Sequence, residues 1–201
     1  IMGFSTMIDI LGSTIIGSVI FLILLRMNDA ASKSTYTFMG DVIVQSNLVA
    51  TIEMIEYDFR KIGFSQNYTN MPDPSKAIIA ADSNRIKFLT DVYPPNGIID
   101  TLEYRTGPVS ELSATPNTKD MFLYRNINGV SSQGSNLGVT QFKMTYFNSL
   151  GAKIAFPIVK TSEIASIQID VTVENTAAYD NEYSTAFWRQ IRLSARNLKN
   201  R

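Results

Sequence analysis

Ile10-Leu11-Gly12-Ser13-Thr14-Ile15-Ile16-Gly17-Ser18-Val19-Ile20-Phe21-Leu22-Ile23-Leu24-Leu25 carries no ionisable side chain, and between Ile1 and Leu25 the only such group is Asp9. As a helix, these first 25 residues reach about 37 Å at ~1.5 Å per residue, enough for a hydrocarbon core of ~30 Å. A carboxylate in lipid costs roughly 2.5–3.5 kcal/mol at a helix centre by insertion scales, and it usually has a partner. One lipid-compatible helix with one acid near its start points to subunits that pack their helices together. A secretory signal needs a basic start, an apolar stretch of ~7–15 residues and a small-residue cleavage site. Here no Lys or Arg precedes the run, the run is longer, and Asp29-Ala30-Ala31 is only a weak cleavage-like site. The tract is therefore expected to be retained.

Downstream, Arg26 marks where a span would meet water, and a Ser/Thr-rich stretch runs to Gly40. Helical periodicity returns from Phe38 to Ile62. Phe38, Val42, Val49, Ile52, Ile55, Phe59 and Ile62 are expected on one stripe, with Asp41, Gln45, Glu53, Glu56 and Lys61 largely away from it. Arg60 and Lys61 suit a helix C-terminus, and Gly63 is a natural stop. The expectation is a helix of roughly 60 residues, with loosening near residues 26–40 or at Gly12 and Gly17.

After Gly63 the pattern changes to period two. Arg85–Val92 and Met121–Arg125 are strand candidates, and Tyr93-Pro94-Pro95-Asn96-Gly97 is a strong turn. Leu102 and Tyr104 alternate with Glu103 and Arg105. Phe142, Met144 and Tyr146 alternate with Gln141, Lys143 and Thr145. Asn148-Ser149-Leu150-Gly151 turns the chain into Ala152–Phe156. Ile167, Ile169, Val171 and Val173 alternate with Gln168, Asp170, Thr172 and Glu174, and Phe187, Arg189, Ile191, Leu193 and Ala195 open the last strand. Such alternation indicates an antiparallel sheet wet on one face, whose dry face needs a cover. The stripe over 38–62 supplies one. The fold class is α+β: a long N-terminal helix, apolar then amphipathic, packed on a C-terminal antiparallel sheet domain. Its parts are 1–27 (apolar helix), 28–64 (amphipathic continuation) and 65–201 (sheet domain).

Composition removes much chemistry. The chain of 201 residues has no Cys and no His, so thiolate nucleophiles, zinc–thiolate sites and the commonest general base are excluded. Lys+Arg and Asp+Glu are both 18, which gives no sign of a nucleic-acid partner. No catalytic set, cofactor motif or metal motif stands out, and the expectation is a protein that is not an enzyme.

Specific residues then carry a resemblance. Gly3-Phe4-Ser5-Thr6-Met7-Ile8-Asp9 before an apolar run resembles a prepilin cleavage motif. Ile52-Glu53-Met54-Ile55-Glu56-Tyr57-Asp58-Phe59-Arg60-Lys61-Ile62-Gly63-Phe64 resembles the helix end of W-type minor pilins and J-type pseudopilins. Gly138-Val139-Thr140-Gln141-Phe142, Tyr146-Phe147-Asn148 with Gly151, and Arg192-Leu193-Ser194-Ala195-Arg196-Asn197-Leu198 resemble their late strands. The chain is thus similar to the type IV pilin superfamily over nearly its whole length. The family usually has Glu as the fifth residue after cleavage; here the acid is Asp9, the sixth counted from Phe4. The apolar run also lacks the Pro that many pilins have.

The resemblance implies a structural subunit of an extracellular pilus-like filament. It would sit in the inner membrane before assembly, be cut by a prepilin peptidase at Gly3 and Phe4, and be extracted by pilus or secretion machinery to pack against copies of itself. Asp9 would accept a neighbour's N-terminal amine or another donor. Gly12 and Gly17, with Ser13 and Ser18, would let helices approach closely. Loops 107–119, 129–138 and 175–184 would be the outer variable surface. The alternatives are a minor pilin or type II secretion pseudopilin at a filament tip, and a single-span membrane-anchored binding domain.

Other features rank below their plain readings. Asn67-Tyr68-Thr69 matches a glycosylation sequon. Arg189, Arg192, Arg196, Lys199 and Arg201 beside Trp188 form a basic stretch, read as an edge strand's solvated face rather than a nucleic-acid site. Asp180-Asn181-Glu182 falls short of a calcium shell, and Glu53 with Glu56 reads as a solvated helix face.

Overall fold

A computed structural model describes residues 2–130, 135–178 and 182–194. One helix, α1, runs without a break from Met2 to Arg60, 59 residues. Neither the 26–40 stretch nor Gly12 and Gly17 interrupts it, contrary to the expected loosening. Isolated helical glycines lower stability without removing a hydrogen bond, and α1 has no internal Pro. The chain divides into two compact units, Ile1–Gly40 and Asp41–Arg201, and α1 contributes to both.

Within the second unit, seven strands follow: β1 (Ile78–Ala81), β2 (Arg85–Thr90), β3 (Asp100–Thr106), β4 (Leu123–Ile127), β5 (Val139–Phe147), β6 (Ser166–Glu174) and β7 (Thr185–Leu193). They form two antiparallel sheets rather than one, a four-stranded β1-β2-β3-β4 meander and a three-stranded β5-β6-β7 meander. Main-chain bonds tie the sheets together. The Met144 N–H donates to the Ser83 carbonyl at 2.7 Å, and the Met121 N–H to the Val139 carbonyl at 3.0 Å. The α+β class holds.

The alternations put Ile86 and Phe88, Leu102 and Tyr104, Phe142, Met144 and Tyr146, and Ile167, Ile169, Val171 and Val173 into one buried cluster. Val44, Leu48, Ile55, Phe59 and Ile62 of the α1 end and the turn after it cover it. The Phe59 ring sits edge-on to Phe88 and Tyr104, with centroids 5.6 and 5.5 Å apart. The buried stripe is therefore 44, 48, 51, 55, 58, 59 and 62. Phe38, Val42 and Val49 are exposed, which corrects the first half of the expected stripe. Thr51 hid the true phase. It is buried, and its hydroxyl donates to the Asn47 carbonyl at 2.8 Å, so a polar residue sits in the core face satisfied.

Three local details depart from simple alternation. Ala152–Phe156 is no strand; only an isolated bridge joins Phe147 to Lys153. β1 lacked a clear periodic signal, being four residues long. In β7, Trp188 pairs Val171 and packs on the core, but a register shift near Ile169 changes the phase so that Leu193 is buried further on, while Phe187 is exposed. Gly63 ends the helix at φ 72°, and Gly138 at φ 73° lies so close to the Glu174 carbonyl that an added Cβ would clash.

Candidate functional site

Unit 1 presents its apolar side chains to the surroundings. Phe4, Ile8, Leu11, Ile15, Ile16 and Phe21 are among the exposed residues. The helix contains an 18-residue window of mean hydropathy 2.4, none of it buried, so it is long and apolar enough to cross a membrane.

The hydroxyls of Thr6, Ser13, Thr14 and Ser18 on this surface are turned inward onto their own helix. Ser13 Oγ donates to the Asp9 carbonyl at 2.6 Å, Thr14 Oγ1 to the Leu11 carbonyl at 2.9 Å, and Ser18 Oγ to the Thr14 carbonyl at 2.7 Å. Such bonds let Ser and Thr sit in apolar surroundings without an outside partner. Asp9 is different. Its carboxylate has no hydrogen-bond or ion-pair partner among the described residues. At 100° per residue, Ser13 lies about 40° and Gly12 about 60° from the Asp9 direction, with Gly17 about 80° away. Asp9, Gly12 and Ser13 thus share one face, and Gly17 flanks it. A Cβ placed on Gly3, Gly12 or Gly17 would meet nothing within 4 Å, so packing inside the chain does not require these glycines. Gly3 and Phe4 lie in the first turn of α1, and the Phe4 ring is exposed.

The remaining candidates lie in unit 2. Asn67 is exposed and caps a short 3-10 turn at Tyr68–Asn70, its Oδ1 accepting from the Thr69 hydroxyl at 2.7 Å. Glu56 pairs with Arg60 at 3.1 Å, one helical turn on, and Glu53 is exposed. Arg189 pairs with Asp170 and lies 5.4 Å from the Phe187 ring centroid. Asp180, Asn181, Arg196, Lys199 and Arg201 lie outside the described residues, and so does the Arg192 side chain. In the 107–119 loop, Leu112 and Asn117 are buried, so that segment is only partly outer surface.

Four carboxylates are buried among the described residues, Asp58, Asp91, Asp120 and Asp170; the last belongs to the expected wet side of the β6 alternation, and burial there is matched by its pairing with Arg189. Asp58 Oδ2 accepts the Tyr104 hydroxyl at 2.5 Å and Arg125 Nε at 2.6 Å, while Oδ1 accepts Arg125 Nη2 at 3.1 Å. This two-pronged pair ties the end of α1 to β3 and β4. Burial pushes the Tyr104 hydroxyl well up, and the Asp58 charge adds to the rise. Arg125 is raised by the same carboxylate. Asp91 accepts N–H bonds from Gln66, Asn96 and Gly97 at 3.1, 3.0 and 2.8 Å. Burial pushes its carboxyl up, but those three donors outweigh it and hold the group below its ordinary value. The third is Asp120, 1% exposed, with no hydrogen-bond partner for either carboxylate oxygen among the described residues; burial pushes its carboxyl up. A signal for Asp58 existed, since it falls on the 44–62 stripe, but only the fold reveals its basic partner.

No family model, curated protein or solved structure matches this chain.

Proposed function

We propose that this protein is the structural subunit of a type IV pilus-like extracellular filament, built by packing the apolar halves of α1 with the sheet domains outside. The observation that carries this reading is the exposed apolar helical surface up to Leu25, bearing the carboxylate of Asp9, which has no partner among the described residues. Before assembly the helix resides in the inner membrane. On assembly it exchanges lipid for neighbouring helices, a change between two apolar surroundings that carries little hydrophobic cost. Asp9 accepts a donor from an adjacent copy, and the pairing favours one axial register over slipped ones. Gly12 and Gly17 allow close approach. A prepilin peptidase acting at Gly3 and Phe4 and an extraction motor complete the scheme, as the sequence resemblance implies.

Electron microscopy of material sheared from cells expressing the full chain tests the proposal. Thin regular fibres containing the protein, lost in Asp9→Ala, are the expected result. Protein that stays in the membrane fraction without fibres would overturn the main-subunit reading, in favour of a tip pseudopilin or an anchored domain.

A further inference from the structure

Asn67-Tyr68-Thr69 is the one Asn-x-Ser/Thr triplet in the chain, and its middle residue is not Pro. As a string of letters such a triplet says little; the fold adds where it stands. It lies between the end of α1 and β1, on a segment fastened by its main chain. The Gln66 N–H donates to Asp91 Oδ2 at 3.1 Å, and Asn70 Nδ2 donates to the Gly97 carbonyl at 2.6 Å. The Asn70 N–H and the Ser65 hydroxyl both donate to the Asn67 carbonyl, at 3.0 and 2.8 Å. The segment is pressed against the turn after β2, where a Cβ added to Gly97 would come within 3.3 Å of the Asn67 Cβ. Its side chains remain open to solvent. Asn67 and Thr69 are exposed, Tyr68 is 82% exposed, and Ile98, one residue past Gly97, is 63% exposed.

Within the triplet the amide is divided between two roles. Asn67 Oδ1 accepts the Thr69 hydroxyl at 2.7 Å and the Thr69 N–H at 3.2 Å. Its Nδ2 has no partner among the described residues. By contrast, Asn47, Asn70, Asn117 and Asn128 all commit Nδ2 to distant parts of the chain. Hydrogen bonds to Oδ1 draw amide electrons toward the oxygen and make an Nδ2 proton easier to lose.

We propose that Asn67 is the attachment site of an N-linked glycan, transferred from a polyprenyl-diphosphate oligosaccharide. In that step Nδ2 forms a bond to the anomeric carbon of the first sugar. The bond from that carbon to the diphosphate oxygen breaks, the polyprenyl diphosphate leaves with the electron pair, and one Nδ2 proton passes to a base of the transferase. The bonds that shape the segment use the Asn67 carbonyl and Oδ1, and both oxygens survive the reaction. The folded unit therefore keeps its shape with the sugar attached. A glycan is bulky and solubilising, and open surface beside Tyr68 and Ile98 accommodates it. The proposal rests on the filament reading in one respect, that the sheet unit reaches the outside of the cytoplasm, where such transfers occur.

Peptide mass spectrometry of the full chain, recovered from the membranes and sheared fibres of cells that produce it, tests the proposal. Trypsin releases residues 62–76 as one peptide. This peptide is expected to carry the mass of an oligosaccharide, and a peptide N-glycosidase to remove it and convert the Asn67 carboxamide to a carboxylate. Thr69→Ala and Asn67→Gln are expected to abolish the modification, and Thr69→Ser to retain it. A bare 62–76 peptide in the parent would overturn the proposal, and so would a sugar that resists the glycosidase and sits on Tyr68 or Thr69. Fibres are scored on the same preparations. Fibres with a bare Asn67 sink the glycan alone; a glycan on Asn67 without fibres sinks the main-subunit reading alone.

Discussion

Asp58 shows how much one buried charge decides. Its carboxylate holds a tyrosine hydroxyl and a two-pronged guanidinium. Asp58→Asn leaves the Arg125 charge largely enclosed and without its counter-ion. Removing one partner of a buried pair costs about 3–5 kcal/mol, and the partial exposure of Arg125 sets the expectation near the lower end. Denaturant unfolding of parent and variant measures the difference; a loss within ~0.5 kcal/mol would reduce the pair to a surface contact. From the sequence, Asp58 is legible as a position on a helix face but not as an ion pair. Arg125 is 67 residues away, and nothing in local pattern reports such a distance.

Among the elements, α1 is the one the sequence described best and misplaced in part. Its length and the apolar character of its first half follow from composition alone. The phase of its second half did not, because two apolar stripes compete and the buried one contains the polar Thr51. The strands were legible where strict alternation ran for long stretches, as in β5 and β6, and obscure where a strand was short or shifted register, as in β1 and β7. The glycines of α1 yield a prediction at this scale. Because a side chain at Gly12 meets nothing within its own chain, Gly12→Leu should leave the unfolding midpoint of the sheet unit unchanged while fibre yield falls severalfold. Circular dichroism and fibre quantification on the same preparation separate the two effects. Equal fibre yield would remove Gly12 from the packing face.

For the whole molecule, the response to pH follows from two tyrosines buried in different sheets. Burial raises both Tyr104 and Tyr146; the Asp58 charge adds to the first and the Asp82 charge to the second. In the unfolded chain both ionise near pH ~10. Their contribution to stability is complete below that value and is lost as the pH rises from there toward the higher folded values, because the unfolded chain releases protons first. Unfolding midpoints followed from pH ~8 to ~11 should fall above pH ~10, and less steeply in Tyr104→Phe. An identical slope in that variant would show that Tyr104 ionises in the folded protein as it does in water.

The turn after β2 has a separate consequence. Asp91 anchors the segment 92–97 through main-chain N–H groups of Asn96 and Gly97, and it reaches back to Gln66 in the same way. The side chains of Tyr93 and Ile98 point away from the core, 71% and 63% exposed. Asn96, whose Oδ1 accepts the Ile98 N–H at 2.8 Å, and Gly97, at φ 81°, hold the shape of the loop, which leaves its outward residues open to change. Substitutions there alter what the surface displays while the scaffold beneath is inherited intact, which makes this turn a natural place to graft a foreign peptide.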